Sequence, residues 1–261
     1  MPSLLRRLIA PGPQGLQRDV LALTLVSGEQ VEIVRVRDPR AKRIKLSVDE
    51  RGARLTLPMR ASLVSGDRFL HEHREWLAVQ LQKNAPDDAS MRLVRDHTST
   101  LPLRGEALPL SWAEGRYARL EHHAHGLRFS APLRAGPASL RRALREFYEA
   151  QARADIGLWM PRYLPSLPRA PTRLRLKVMS SQWGSLSPDG SLALDLALVL
   201  GRPSAFEYVL VHELCHLLHA DHSRRFWAEV EARFPAWRDE RAYFHAQGRQ
   251  LKAGLRNLLS E

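Results

Sequence analysis

Apolar and polar positions alternate through the first third of the chain, and later give way to helical spacings. Residues 21–25 and 31–36 flank Ser27-Gly28-Glu29, a pattern that predicts a hairpin. Ile44, Leu46 and Val48 alternate with polar residues; after a turn at 49–52, Leu55 and Leu57 alternate again, predicting a second hairpin. Over 66–83, Phe69, Leu70, His73, Trp76, Leu77 and Leu81 recur at helical spacing. The polar stretch 84–99, with Pro86-Asp87-Asp88, reads as a linker. Residues 101–112 and 119–130 read as strands, and 137–160 as a long helix broken at Pro161. Further strands are expected at 174–178 and 192–198, around Trp183-Gly184, and a last helix at 246–259. In the 192–198 strand Asp195 alternates with Leu192, Leu194, Leu196 and Leu198, which assigns it to the solvent side. This order predicts an α+β protein. A flexible N-terminus (1–17) precedes a β-rich module (18–133), then a helical module with a small sheet (134–261).

Composition narrows the setting. Of 261 residues, 44% are hydrophobic, and the mean hydropathy of −0.33 is that of a soluble globular protein. No apolar run approaches the ~20 residues needed to span a bilayer. The start, with Arg6 and Arg7 in its middle, is too short in apolar stretches for a signal peptide. The single cysteine, Cys215, rules out an internal disulfide, so a cytoplasmic location is the expectation. The net charge is +12, and 35 of the 40 basic residues are arginine. Such a field suits nucleic-acid contact. A GC-rich genome explains the arginine bias equally well, and no nucleic-acid-binding motif appears.

The chemistry concentrates at 212–222, His-Glu-Leu-Cys-His-Leu-Leu-His-Ala-Asp-His. On an α-helix, side chains four apart share one face. His212 and His216 can therefore chelate one Zn²⁺, while Glu213 beside them can take a proton from a metal-bound water. Helical context supports this. Ser204 and Glu207 form a capping-box signature after Pro203, and Val209, Leu210, Leu214 and Leu217 form an apolar face. Cys215 points away from the two histidines and reads as a buried small residue.

A catalytic zinc usually takes three protein ligands and keeps one position for water. His219, Asp221, His222, Glu229 and Glu240 are the candidates for the third. An unbroken helix would carry His219 about 10 Å along the axis from His212, too far for ~2 Å bonds. A later ligand must come from a chain that turns back. Ala220-Asp221 can turn, and Ser223 can cap a new helix over 224–234, stopped by Pro235. His222 at that corner is the preferred third ligand, with a downstream glutamate next. A second cluster, His122, His123 and His125, has no adjoining carboxylate or cysteine and reads as exposed strand residues.

The spacing from His216 to His222 matches the metzincin pattern, but His219 stands where a metzincin carries glycine. The segment Tyr208-Val209-Leu210-Val211-His212-Glu213-Leu214-Cys215-His216, followed by His222-Ser223-Arg224-Arg225-Phe226-Trp227, instead resembles the YgjP-like metallopeptidases, relatives of the SprT-like proteases. Ser181-Gln182-Trp183-Gly184-Ser185 and the turn at Pro188-Asp189-Gly190 resemble that family's Trp-Gly-Ser hairpin. The family often has Arg before the Trp, Cys after the Ser and Asn in the next strand; here stand Gln182, Leu186 and Asp195. Leu57-Pro58 and His73-Arg74-Glu75-Trp76-Leu77 fit more loosely, so the likeness runs over about 31–244. It implies a zincin-like metallopeptidase module at 134–261. It also implies one zinc on His212, His216 and His222, Glu213 as catalytic base, a peptide or protein substrate, and substrate contacts at Trp183, Gly184 and Ser185.

Three neutral imidazoles would leave the zinc its full charge, lowering the pKa of its water towards ~7. Glu213 would accept the proton as hydroxide attacks a carbonyl, then pass it to the leaving amine. Tyr208, Tyr243 and His245 are oxyanion partners by residue type alone. The rival readings are a metal-dependent nucleotide or phosphoanhydride hydrolase, a DNA-associated protease of SprT-like type, and a binding protein with structural zinc.

Overall fold

The computed structural model describes residues 17–49, 52–83 and 92–260. Nearly all of the expected flexible N-terminus, the turn residues 50–51 and half of the expected linker (84–91) lie outside the described residues. The chain forms two compact units that divide between Asp87 and Asp88. That division lies upstream of the 133/134 boundary expected from the sequence, because the strands after residue 99 share a core with the helices that follow.

In the first unit, β1 (Gln17–Thr24), β2 (Gln30–Asp38), β3 (Lys45–Asp49) and β4 (Gly52–Pro58) form one sheet in the order β1-β2-β4-β3. β1 and β2 are the expected antiparallel hairpin, as are β3 and β4, and β2 runs parallel to β4. Ile33, Leu55 and Leu57 on one face pack on Leu70 and Leu77. Those leucines belong to α1 (Leu63–Glu72) and α2 (Arg74–Lys83), two helices where the periodicity predicts one. The break is at His73, whose φ of −104° and ψ of 15° leave the helical region and whose Nδ1 bonds the Phe69 carbonyl at 2.9 Å.

The second unit begins with β5 (Thr100–Leu103), β6 (Glu106–Glu114), β7 (Arg119–His123) and β8 (Gly126–Ala131), ordered β5-β6-β8-β7. Each apolar stretch read as one strand is thus a hairpin. The first turns at Arg104-Gly105, both at positive φ (52° and 85°), the conformation of a tight two-residue hairpin. Arg104 accepts that conformation because its guanidinium forks onto Asp155 at 2.8 Å and its N–H bonds the Val199 carbonyl at 2.8 Å. The second hairpin turns beside His122, His123 and His125, which are exposed as expected.

α3 (Pro137–Tyr163) crosses this sheet and buries Leu140, Leu144, Tyr148, Ile156 and Trp159. A smaller sheet follows, β10 (Gly184–Leu186), β11 (Ser191–Asp195) and β9 (Arg173–Lys177), with β10 at one edge. β11 stops at Asp195 instead of running to Leu198, because the Asp195 carboxylate caps a 3₁₀ segment, Leu196–Leu200, by accepting the Ala197 N–H. Three helices close the unit: α4 (Pro203–Cys215), α5 (Arg224–Arg233) and α6 (Trp237–Leu259). α6 begins nine residues before its expected start. No helix among the described residues is long and apolar enough to cross a membrane.

Candidate active site

α4 is the helix predicted to carry the ligands, but its setting differs from the expected amphipathic one. Phe206, Val209, Leu210, Val211, Leu214 and Cys215 are all buried, so apolar contacts cover most of the helix, and it reaches the cleft through Tyr208, Val209, His212 and Glu213. Its start also differs. Arg202 is the N-cap residue, without a side-chain cap bond, and Pro203 opens the first turn, where its missing N–H costs nothing. The Ser204–Glu207 capping box does not form. Glu207 instead accepts a hydrogen bond from the Tyr163 hydroxyl at 2.5 Å and forms an ion pair with Arg162 at 2.9 Å.

The helix ends at Cys215, and His216 is its C-cap, still in the right-handed helical region. The two histidines keep their one-turn spacing while the chain is already leaving the axis. It turns through 217–221 and re-enters a helix at Ser223, whose hydroxyl accepts the Phe226 N–H as expected of a cap. This corner brings His222 back. One ring nitrogen from each of His212, His216 and His222 lies within 4.8 Å of the others, and the Nε2 atoms of His212 and His222 are 3.0 Å apart. Two nitrogens on one tetrahedral zinc would be about 3.3 Å apart given Zn–N bonds of ~2.0–2.1 Å. The donor set therefore fits a divalent ion of zinc's size with sub-ångström adjustment.

The other candidates for a third ligand are engaged elsewhere. His219 acts through its backbone: its carbonyl lies 3.0 Å from Nδ1 of His216, which fixes that ring with Nε2 towards the cluster. Asp221 accepts the Ser223 N–H, Glu229 pairs with Arg233, and Glu240 pairs with Arg202. Phe226, fully buried on α5, is the common floor. Its ring centroid is 4.9, 4.5 and 4.8 Å from those of His212, His216 and His222. Trp227 flanks His212 and His222. Beyond the quoted family segment, no local pattern in the chain reports this packing.

Protonation states suit metal capture. Burial, then the neighbouring imidazoles of His216 and His222, push His212 down to about 3. Burial also lowers His216. Neutral imidazole is the metal-binding form.

Glu213 points from α4 to the edge of β10. Burial pushes its carboxyl up to about 7, opposed by the hydrogen bond from the Leu186 backbone N–H. The fit against β10 is close. A Cβ on Gly184 would lie 2.6 Å from Glu213 Cγ and 2.7 Å from Oε1, so only glycine lets the carboxylate reach this strand. The pairing register explains how. Asp195 N–H bonds the Trp183 carbonyl and Ser187 N–H bonds the Ser191 carbonyl, both towards β11. Alternation along an antiparallel pair then turns the backbone groups of Gly184 and Leu186 outward, while those of Ser185 face Ala193.

Trp183 is held from behind. Its ring packs 4.5 Å from Phe244 and lies on Gly248, where a Cβ would come within 2.9 Å of the indole. Lys252 sits 4.2 Å from the indole centroid and donates to the carbonyls of Met179 (3.1 Å) and Gln182 (2.9 Å). Its remaining partner is the Asp195 carboxylate. Asp195 is 1% exposed, which corrects its expected place on the solvent side. The strand parity was read correctly. The face opposite the leucines is covered by α6, 57 residues later, and no local pattern reports that.

The histidines, Glu213 and Trp183-Gly184-Ser185 all line one cleft of about 770 Å³. Tyr208 and His245 also line it. Tyr243 does not; its hydroxyl accepts the Arg202 N–H on another side of α6. Among the described residues, the three histidines are the one His/Cys/Asp/Glu group with metal-ligand geometry.

The crystal structure of the metallopeptidase zymogen of Pyrococcus abyssi abylysin is similar at 23% identity, over 38% of this chain and 93% of that one, with a TM-score of 0.30. No protein of curated function matches the chain. The sequence model of the YgjP-like family, metallopeptidase domain, matches residues 42–247. A match over that much of the chain settles the relationship: the protein belongs to the YgjP-like family and carries its metallopeptidase domain.

Proposed function

We propose that this metallopeptidase is a zinc enzyme that hydrolyses peptide bonds, with His212, His216 and His222 holding the ion and Glu213 as the general base. One observation carries the reading: the three-imidazole cluster and the Glu213 carboxylate meet in one cleft, at the edge of an open strand. A structural zinc site closed by four ligands would need no such carboxylate. Zinc, when bound, supplies a Lewis acid for a water molecule and for the substrate carbonyl.

The protein's own residues supply the rest. Glu213 takes a proton from the attacking water at its carboxylate oxygen and later delivers it to the departing amine nitrogen. Its elevated pKa matches a group that must both accept and release a proton near neutrality, and a nearby cation would lower that value. The Leu186 N–H and Gly184 fix the carboxylate, so the base is oriented before substrate arrives. Phe226 and Trp227 hold the imidazole planes and keep water from behind them. An extended peptide would add to the free edge of β10 through the outward groups of Gly184. In this reading Trp183 and Ser185 hold the strand in place, and Gly184 touches substrate.

The test is zinc content by elemental analysis, combined with cleavage of casein and quenched peptides before and after chelation. One zinc per chain and chelator-sensitive peptide cleavage are expected. Release of phosphate from nucleoside triphosphates, with casein and peptides untouched, would overturn the peptide assignment.

A further inference from the structure

Two cleft-lining guanidiniums, those of Arg169 and Arg241, have no part in the chemistry proposed above. Both are exposed, and they mark the two ends of β10's open edge. Arg169 donates to the Pro188 carbonyl at 3.0 Å, just past the Leu186 end of the strand. The Trp183 end leans on α6 through Phe244 and Gly248, and α6 carries Arg241 one turn before Phe244. Arg241 lies over the Trp227 ring at 5.7 Å, and its charge acts on both Tyr208 and His212, which places it beside the histidines.

Among the described residues, neither guanidinium makes an ion pair. Glu240 is paired with Arg202, and Asp189 and Asp221, which keep their charge, are turned to Ser191 and the Ser223 N–H and do not line the cleft. Glu213 is then the one carboxylate lining the cleft, and it is buried against Gly184. A groove with one sign of charge and apolar walls concentrates ligands of the opposite sign.

We infer that the cleft selects peptides with acidic side chains on both sides of the scissile bond, one carboxylate meeting Arg241 and the other Arg169. The span fits. From Gly184 through the end of β10 to Pro188 the chain covers at most roughly 13 Å at ~3.3 Å per residue. A paired peptide of four to five residues would therefore present side chains to both arginines while its centre lies by the histidines. Guanidinium forks suit carboxylates, and Trp227 restricts Arg241 to one side. This inference rests on the peptidase reading and adds the substrate class to it.

The experiment uses quenched peptides identical except for Glu, Gln or Lys on either side of the cleaved bond, with the zinc-loaded full chain. Exposed charge pairs contribute up to about fivefold each, and exchange of Glu for Lys turns attraction into repulsion. The wild type should therefore prefer Glu over Lys by about two- to thirtyfold in kcat/KM at each position, with Gln between them. The preference should shrink at 1 M salt, where the screening length falls to ~3 Å. Arg241→Glu should reverse the order on one side and Arg169→Glu on the other. Each comparison is a ratio within one variant, so a smaller folded fraction cancels. Equal cleavage of all three peptides by the wild type, or a preference for Glu that survives both substitutions, would overturn the inference and leave the peptidase reading standing. Failure of the wild type to cleave any peptide would remove the peptidase reading and the inference with it.

Discussion

Gly184→Ala is the smallest change that should separate the base from the metal site. The added methyl would sit 2.6 Å from Glu213 Cγ and 2.9 Å from its Cδ, where ordinary contact begins at 3.4 Å. Either the carboxylate or the strand must yield by about 0.8 Å. α4 is buried along most of its length, so its backbone resists retreat and the Glu213 side chain has to swing off the Leu186 N–H. A misplacement near 1 Å costs about 10²-fold in rate, or ~2.7 kcal/mol of barrier. Overpacking adds about 1–3 kcal/mol of lost stability. The three atoms nearest the new methyl all belong to Glu213 and none to His212, His216 or His222, so zinc stoichiometry should stay at that of the wild type. The assay pairs kcat/KM on a quenched peptide with metal content and a denaturation curve on the same preparation. A variant within threefold of wild-type kcat/KM would refute the claim that this contact positions the base. Loss of metal along with activity would refute the separation of the two.

Two further outcomes follow from buried groups. Lys252→Met leaves the Asp195 carboxylate buried without its cation and should cost about 3–5 kcal/mol in urea unfolding, while Lys252→Met with Asp195→Leu should recover most of that loss; a single variant as stable as wild type would contradict the pairing. In metal-free protein two buried groups act oppositely as pH falls: Glu213, protonated in the fold up to about 7, adds stability between pH 7 and 4.5, while His212 removes it below 6.5. The unfolded His212 takes up a proton there and the folded one does not until about 3, so this group contributes at most ~1.4 kcal/mol per pH unit over that window. Urea midpoints of wild type and His212→Asn at pH 7.5, 6 and 5 test this: the variant should lose less stability, or gain more, than the wild type as pH falls, and identical slopes would contradict the buried neutral imidazole.

What could be read without a structure follows the range of the interactions. The His212–His216 pair is a one-turn feature, and the corner that returns His222 needs only a helix stop and a capping serine. Both depend on neighbours in sequence, and both are present. The hairpin turn at Arg104-Gly105 was hidden because arginine rarely takes positive φ; Asp155, 51 residues away, makes it affordable. The Ser204 cap was a local pattern overruled by Pro203 and by the demand of Tyr163 for Glu207. Asp195 was misplaced for the same reason: Lys252 reaches it from α6. The resemblance pointed to Trp183-Gly184-Ser185, but the reason for the glycine is a contact with a residue 29 positions later.

The most direct measurement of the central claim is Glu213→Gln, assayed for bound zinc and for peptide hydrolysis. The amide keeps the shape of the side chain and removes its capacity to take a proton. Zinc should remain at one per chain, and kcat/KM should fall by about 10²–10⁴, the range of general acid–base contributions. A variant that keeps its zinc and hydrolyses peptide at the wild-type rate would show that Glu213 is not the base.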